Sequence, residues 1–264
     1  MNHAMQIFFK KLAQHRDQLS QLEKQVLEYI LRNPERVTKL NVQEISKEIF
    51  VSTATISRTC KQLGFQGFQD MKYTLSKLAD SEEKQVNFQS PSSFALGSHI
   101  QRIKEELDTT LQLIDEEKIK LAAKYINESP QVEFFGVGNS LPTCVDAARK
   151  LVFSGKLCNA REDWDALRSV ANSLTEKDLA ILISYSGETL NMLEYAHILK
   201  SRNVKTIAIT GQHNNRLLQD ATLSIQGYIV NMYYDDLDMS SRFPLSIILD
   251  LIIITYVNEY SNKK

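Results

Sequence analysis

The feature that most limits what this chain can become is a set of short apolar runs at residues 132–135, 179–183, 204–209 and 223–225, with a weaker one at 156–159. Each has the length of a strand buried on both faces and is too short for a core helix. Amphipathic stretches such as 190–199 separate them. Strands alternating with helices form a parallel sheet covered on both sides, because each parallel crossover must carry the chain back along one face. Residues 99–264 are therefore expected to make a parallel sheet covered by helices on both faces, with four strands or, where the weaker run adds one, five.

The first 80 residues have a different period. Leu19, Leu22, Val26, Ile30 and Leu31 recur at helical steps, and Ser20 followed by Glu23 reads as a capping box. Asn33-Pro34 is expected to end that helix. Val42, Ile45 and Ile49 mark a second helix, Ile56, Cys60 and Leu63 a third that stops at Gly64, and residues 68–78 a fourth. Residues 81–98, with Ser81-Glu-Glu-Lys-Gln and Gln89-Ser-Pro-Ser-Ser, are polar and broken by Pro91, as a linker is. The class is thus α/β: an all-helical domain over 1–80, a linker over 81–98 and the covered sheet over 99–264.

Charge follows the same division. The first 80 residues hold 12 Lys and Arg against 8 Asp and Glu, and the remainder 19 against 24. A basic half joined to an acidic one suits a chain of which one part meets a polyanion. Within the basic half, the segment from Val42 to Gly64 follows helix-turn-helix grammar: a short helix to Ile49, a tight turn, and a second helix capped by Ser52. Ile56, Cys60 and Leu63 share the face that should point inward. Ser52, Thr53, Thr55, Ser57, Arg58 and Lys61 lie elsewhere on that helix, and such hydroxyls and cations reach base edges and phosphates in a major groove. Arg58 is the expected guanine reader, its planar fork matching O6 and N7. The same grammar also fits a plain helical hairpin with a solvated polar face. Phe50 is unusual for the turn, which favours glycine at positive φ. Either the turn differs locally, or Phe50 tolerates that conformation while its ring packs elsewhere.

Two motifs follow predicted strands in the acidic half. Phe135-Gly-Val-Gly-Asn-Ser-Leu-Pro leads from strand to helix, and so does Ile183-Ser-Tyr-Ser-Gly-Glu-Thr-Leu. At the carboxyl ends of parallel strands, such turns present free backbone N–H groups and the partial positive charge of a helix start. Ser140, Ser184, Ser186 and Thr189 would add hydroxyl donors around an anion, and Gly138 and Gly187 would let the backbone approach it. Asn139 and Glu188, in the same loops, are expected in the ligand site with them, Glu188 to orient a ligand hydroxyl or the helix start. Neither motif has a Lys, which excludes a Walker-type nucleotide site, and Leu141 stands where a dinucleotide fingerprint has its third glycine. The Gly-x-Gly turn alone is equally an ordinary strand-to-helix connection. The density of donors in the second motif is what indicates phosphate.

These two motifs resemble those of SIS (sugar isomerase) domains, with their Gly-x-Gly-x-Ser turn and Ser-x-Ser-Gly-Glu-Thr loop. The preceding segment resembles the helix-turn-helix of RpiR-type regulators in Val51-Ser-x-x-Thr-Ile and Leu63-Gly-Phe-x-Gly-Phe, and Ser241-Arg242 ahead of a long apolar helix is similar too. The resemblance implies a transcription regulator of carbohydrate metabolism that binds double-stranded operator DNA and a phosphorylated sugar effector. The fold it implies is a helical DNA-binding domain joined to an α/β/α sandwich around a five-stranded parallel sheet. It also implies that Ser140, Ser184, Ser186 and Thr189 hold the sugar phosphate.

A second reading is a phosphosugar isomerase, which would need a general base beside the substrate carbons. Glu188, His197 and His213 are the candidates; His197 is expected at the surface or in packing, and His213 lies in the loop after 204–209. Asp235, Asp236 and Asp238 read as a solvated acidic loop rather than a metal site. No complete catalytic set emerges and no cofactor is implied, so the regulator is the expected function. The three cysteines, Cys60, Cys144 and Cys158, form no close pair, as suits a reducing cytoplasm. Lys10, Lys11 and Arg16 interrupt the apolar groups of the N-terminus, and no signal peptide is expected. The run 245–257 contains Asp250 and falls short of the roughly 20 residues of a membrane span, so a buried helix and no membrane partner are expected. With the amphipathic run 100–114, it suggests a homodimer or homotetramer built through the C-terminal half.

Overall fold

The computed structural model describes residues 8, 9, 12, 13, 16, 19–80, 86, 87, 96–211, 215–234 and 237–261. His213, Asp235, Asp236 and most of the segment 81–98 lie outside the described residues. The chain divides into two compact units, Met1–Glu83 and Lys84–Lys264.

From residue 21 on, the first unit is built of α1 (Gln21–Arg32), α2 (Pro34–Lys39), α3 (Val42–Ile49), α4 (Thr53–Gln62) and α5 (Phe68–Asp80). The Ser20 N–H donates to the Glu23 carboxylate at 2.9 Å, closing the predicted box at the start of α1. A second box opens α3, where the Asn41 side chain accepts from the Glu44 N–H and the Glu44 carboxylate from the Asn41 N–H. Asn33-Pro34 does end α1, but the chain turns straight into α2 with Pro34 in its first turn. Proline there lacks only an N–H that a helix start leaves unbonded anyway. Val26, Leu27, Ile30, Ile45, Ile56, Cys60, Met71 and Leu75 are all buried and form the centre of the unit.

The turn after α3 is the expected left-handed one, and Phe50 occupies it with φ 52° and ψ 37°. Its ring is 92% exposed and so gains little from packing among the described residues. The expectation that Phe50 compensates by packing elsewhere is thus corrected.

In the second unit, α6 (Leu96–Gln112) and α7 (Glu116–Glu128) precede β2 (Val132–Phe135), and β1 is the short Val86–Asn87 before them. A single 3₁₀ turn at Gly138–Ser140 leads into α8 (Leu141–Phe153). Then follow β3 (Cys158–Ala160), α9 (Trp164–Ser173), β4 (Leu179–Ser184), α10 (Leu190–Ser201), β5 (Lys205–Thr210), α11 (Arg216–Asp220) and β6 (Leu223–Gln226). The unit closes with β7 (Met232–Tyr234), β8 (Leu237–Asp238) and α12 (Phe243–Tyr256). The main sheet has five parallel strands in the order β3-β2-β4-β5-β6. A second sheet, β1-β7-β8, has no counterpart in the apolar pattern because its strands are only two or three residues long.

The main sheet sorts its side chains by the two-residue period of a strand. Ile181, Ile183, Ile207 and Ile209 pack with Phe134 against α7, α8 and α12, while Ala180, Leu182 and Ala208 pack with Phe135 against α9, α10 and α11. The apolar C-terminal run is longer than expected, continuing as one helix over Phe243–Ser261, which by length and composition could cross a membrane. Here it is a core helix on one face only. Leu245, Ile248, Leu249 and Ile252 are buried against the sheet, while Phe243 and Ile254 are exposed.

Candidate functional site

The strand order reverses between β2 and β4: the chain steps from β2 out to β3, crosses back to β4, and continues to β6 on the other side. Loops at the carboxyl ends of strands diverge at such a point and leave a crevice where open α/β sheets bind ligands. Both sequence motifs are the loops flanking this crevice.

The first loop leaves β2 at Gly136, where a Cβ would sit 2.3 Å from Cys144 Sγ on α8. Only a glycine lets the helix close on the strand here. Gly138 follows with φ +54°. Ser140 is buried and its N–H donates to the Val137 carbonyl, while its hydroxyl makes no capping bond to α8.

The second loop begins at the last residue of β4. The buried Ser184 Oγ accepts from the Gly187 N–H at 3.1 Å and lies 3.5 Å from Thr189 Oγ1. Ser186 Oγ accepts from the Glu188 N–H at 3.2 Å. Thr189 is the residue before α10, and its hydroxyl caps nothing. Two of the predicted hydroxyls thus meet at one helix start, and a third folds back on the loop. Asn139 and Gly138 are solvent-exposed.

Glu188 is committed to structure. Its carboxylate accepts from the Arg216 N–H at 3.0 Å and from Arg216 Nε at 2.6 Å, which ties the loop to the start of α11. Asn215 completes that tie: it is buried, its Nδ2 donates to Thr210 Oγ1 at 3.0 Å, and its Oδ1 accepts from the Leu218 N–H. Gly187, at φ +65°, packs so tightly that a Cβ would lie 2.0 Å from Asn215 Oδ1. Asn215 and Arg216 were not singled out from the sequence, where only a generic helix-cap pattern marks Asn215, and Glu188 is 28 residues away from Arg216.

A further set of contacts joins the first loop to the second across β8. Asn139 Nδ2 donates to the Asp238 carbonyl at 2.8 Å, and the Asp238 carboxylate pairs with Arg242. The Arg242 guanidinium also donates to the Ser240 carbonyl at 2.8 Å and lies over the Tyr185 ring, 4.5 Å from its centroid. Asp238 is therefore half-buried in an ion pair, a correction to the solvated acidic loop. His197 is exposed on α10. No group of three or more His, Cys, Asp or Glu gathers as a metal site among the described residues. A groove of about 310 Å³ bordered by Ile119, Leu251 and Thr255 shares no residue with either loop.

In the first unit, α4 turns Ile56, Cys60 and Leu63 inward as expected. Burial pushes the Cys60 thiol up to about 12, so it packs as an apolar group beside Met71. Ser52, Arg58 and Lys61 are exposed, and Thr53, Thr55 and Ser57 are half-exposed. Ser52 Oγ accepts from the Thr55 N–H at 3.1 Å, the predicted cap. Arg58, the expected guanine reader, is tied within the unit: its Nε donates to Glu23 on α1 at 3.0 Å.

Comparison with known proteins agrees with both units. Residues 6–82 match the helix-turn-helix domain, rpiR family, and residues 125–233 match the SIS domain. HexR, a helix-turn-helix transcriptional regulator of Pseudomonas aeruginosa, is 24% identical over 252 residues, covering 94% of this chain and 88% of that protein. An uncharacterised regulator of the same type from Caldanaerobacter subterraneus is 26% identical over 244 residues, covering 91% and 86%. The structure of Vibrio vulnificus NanR complexed with ManNAc-6P has the same fold over 97% of this chain and 93% of its own, with a TM-score of 0.59 and 19% identity.

Proposed function

We propose that this chain, which belongs to the RpiR-type family of transcription regulators, is a DNA-binding regulator of sugar metabolism whose operator affinity is set by a phosphorylated sugar bound in the SIS domain. The observation that carries the effector assignment is the meeting of Ser184 and Thr189 with the start of α10 at the reversal point of the sheet. Fixed N–H dipoles and neutral hydroxyls suit a phosphate, and they need no lysine. We assign the phosphate to Ser140, Ser184, Ser186 and Thr189, with Gly138 and Gly187 keeping the approach open. Asn139 and Glu188 shape the loops, Glu188 through Arg216.

Turnover is not part of this reading. A base must be free to take a proton, and the Glu188 carboxylate is already held by two Arg216 donors. The domain bounds of 1–80, 81–98 and 99–264, a homodimeric or homotetrameric state and a cytoplasmic location belong to the same proposal. The DNA face is assigned to Ser52, Thr53, Thr55, Ser57, Arg58 and Lys61.

Replacing Ser184 and Ser186 by Ala removes two donors, each contributing about 1.5–3 kcal/mol where it faces a charged phosphate. The double variant should bind DNA selected from a randomised duplex pool as the wild type does. It should lose the thermal shift given by hexose, pentose or N-acetylated amino-sugar phosphates. Ser186→Ala alone leaves the Ser184–Gly187 bond intact and should lose part of it. An unchanged shift in the double variant would place the phosphate elsewhere, and wild-type turnover of a sugar phosphate would make the protein an enzyme.

A further inference from the structure

Arg58 is one of two long cations on the exposed side of α4, with Lys61, yet one of its donors is already spent inside the unit. Its side chain is 65% exposed, while that of its partner Glu23 is only 5% exposed. Glu23 sits in the first turn of α1 and is fixed before Arg58 reaches it, because its other oxygen accepts the Ser20 N–H at 2.9 Å. Ser20 comes first, through its backbone N–H and then its side chain, and Arg58 follows, in holding the Glu23 carboxyl below its ordinary range. Gln62, one turn beyond Arg58, adds a third donor: with its amide turned toward Glu23, its nitrogen is 3.1 Å from both carboxylate oxygens. A helix cap thus presents a fixed anion to the helix that carries the base-reading face.

We propose that Glu23 is a positioning and specificity-determining residue for DNA recognition, holding Arg58 by Nε so that its terminal Nη1/Nη2 fork is presented to one guanine. The proposal rests on the reading of α4 as the recognition helix. Two physical consequences make it work. An arginine anchored at Nε has lost most of its rotamer freedom before DNA arrives, so less is lost on binding. The Nη1 and Nη2 edge that remains is the one whose two parallel N–H groups match guanine O6 and N7. The carboxylate at 3.0 Å also cancels much of the long-range attraction of Arg58 for phosphate, while a short-range hydrogen bond to a base is little affected. The pair therefore turns a cation that would bind any duplex into one that selects.

The test uses the full chain and a randomised duplex pool. The wild type should enrich a sequence in which one G·C pair loses its preference when Arg58→Ala is made. At that pair, Glu23→Gln should lower discrimination about tenfold, while binding to random-sequence duplex holds or strengthens and its salt slope steepens by about 1. The double variant Glu23→Gln/Arg58→Ala should discriminate no worse there than Arg58→Ala alone. Glu23→Asp, which keeps the charge but draws it back by one methylene, covers the case in which the glutamine variant does not fold and should show the same loss. Full discrimination in both Glu23 variants would reduce Glu23 to a helix cap and overturn the proposal. So would weaker binding to every duplex in step with a lower melting temperature. If Arg58→Ala changes no single base pair, or the wild type enriches nothing, the DNA reading itself fails and the proposal falls with it.

Discussion

Phe50 and Gly187 hold the same left-handed backbone, with φ of 52° and 65°, and substitution at the two should act in opposite directions. Phe50 meets the cost of a Cβ at positive φ and recovers little of it by packing, since its ring is exposed. Phe50→Gly should therefore stabilise the helix-turn-helix by up to about 1 kcal/mol, read as slower amide exchange across α3 and α4; faster exchange would mean that the ring does support the turn. At Gly187 the same backbone is joined by a wall, Asn215 Oδ1, 2.0 Å from where a Cβ would stand. Gly187→Ala should cost roughly 1–3 kcal/mol and abolish the sugar-phosphate shift. Gly138→Ala, with φ +54° but open space around it, should be milder, and equal losses at both glycines would sink the contact argument. The sequence marks all three positions as turns. It does not say which of them touches anything.

At the scale of elements, α6 has two unlike faces. Glu106 is buried and accepts from Arg102 Nη1 and from the Val230 N–H, both at 2.8 Å, while Thr110 Oγ1 accepts from the Tyr228 N–H at 2.9 Å. Those bonds fix one face to the segment that precedes β7. Leu96, Ile100, Ile103 and Leu111 recur at helical spacing and are exposed, a stripe left uncovered among the described residues. A second copy is the partner that the proposed homo-oligomer supplies. Ile100→Glu with Ile103→Glu should shift the full chain toward monomer in sedimentation at micromolar concentration. Unchanged sedimentation would move the interface elsewhere. The amphipathic pattern of this helix is legible in the sequence, whereas the burial of Glu106 is not, because its partner at Val230 is 124 residues away.

At the scale of the whole molecule, the small sheet lies in the second unit and begins just after the chain leaves the first. β1, at Val86–Asn87, follows the first unit in the chain and pairs with β7; β7 pairs with β8; and β8 carries Asp238, whose carbonyl accepts from Asn139 in the loop after β2. A ligand that draws Asn139 inward would act on this sheet, and it can shift DNA affinity only by its different affinity for the two arrangements. Removing one neutral hydrogen bond changes such a coupling by about 1 kcal/mol. Asn139→Ala should thus keep its sugar-phosphate affinity nearly intact, yet weaken the ligand's effect on DNA binding about fivefold. An undiminished ligand effect on DNA would exclude this route.

The sequence by itself determined the helical and α/β halves, the main parallel sheet, the two Gly/Ser loops that follow its strands and the inward face of α4. Each is written in a local pattern: a period, a cap, or a glycine after a strand. Only the tertiary structure decided that the loops meet at a reversal of strand order, that Glu188 is held by Arg216, and that the cap residue Glu23 also grips Arg58. Those contacts join residues 28 and 35 positions apart in the chain. Their distance in space is set by how elements pack, and no local pattern encodes it.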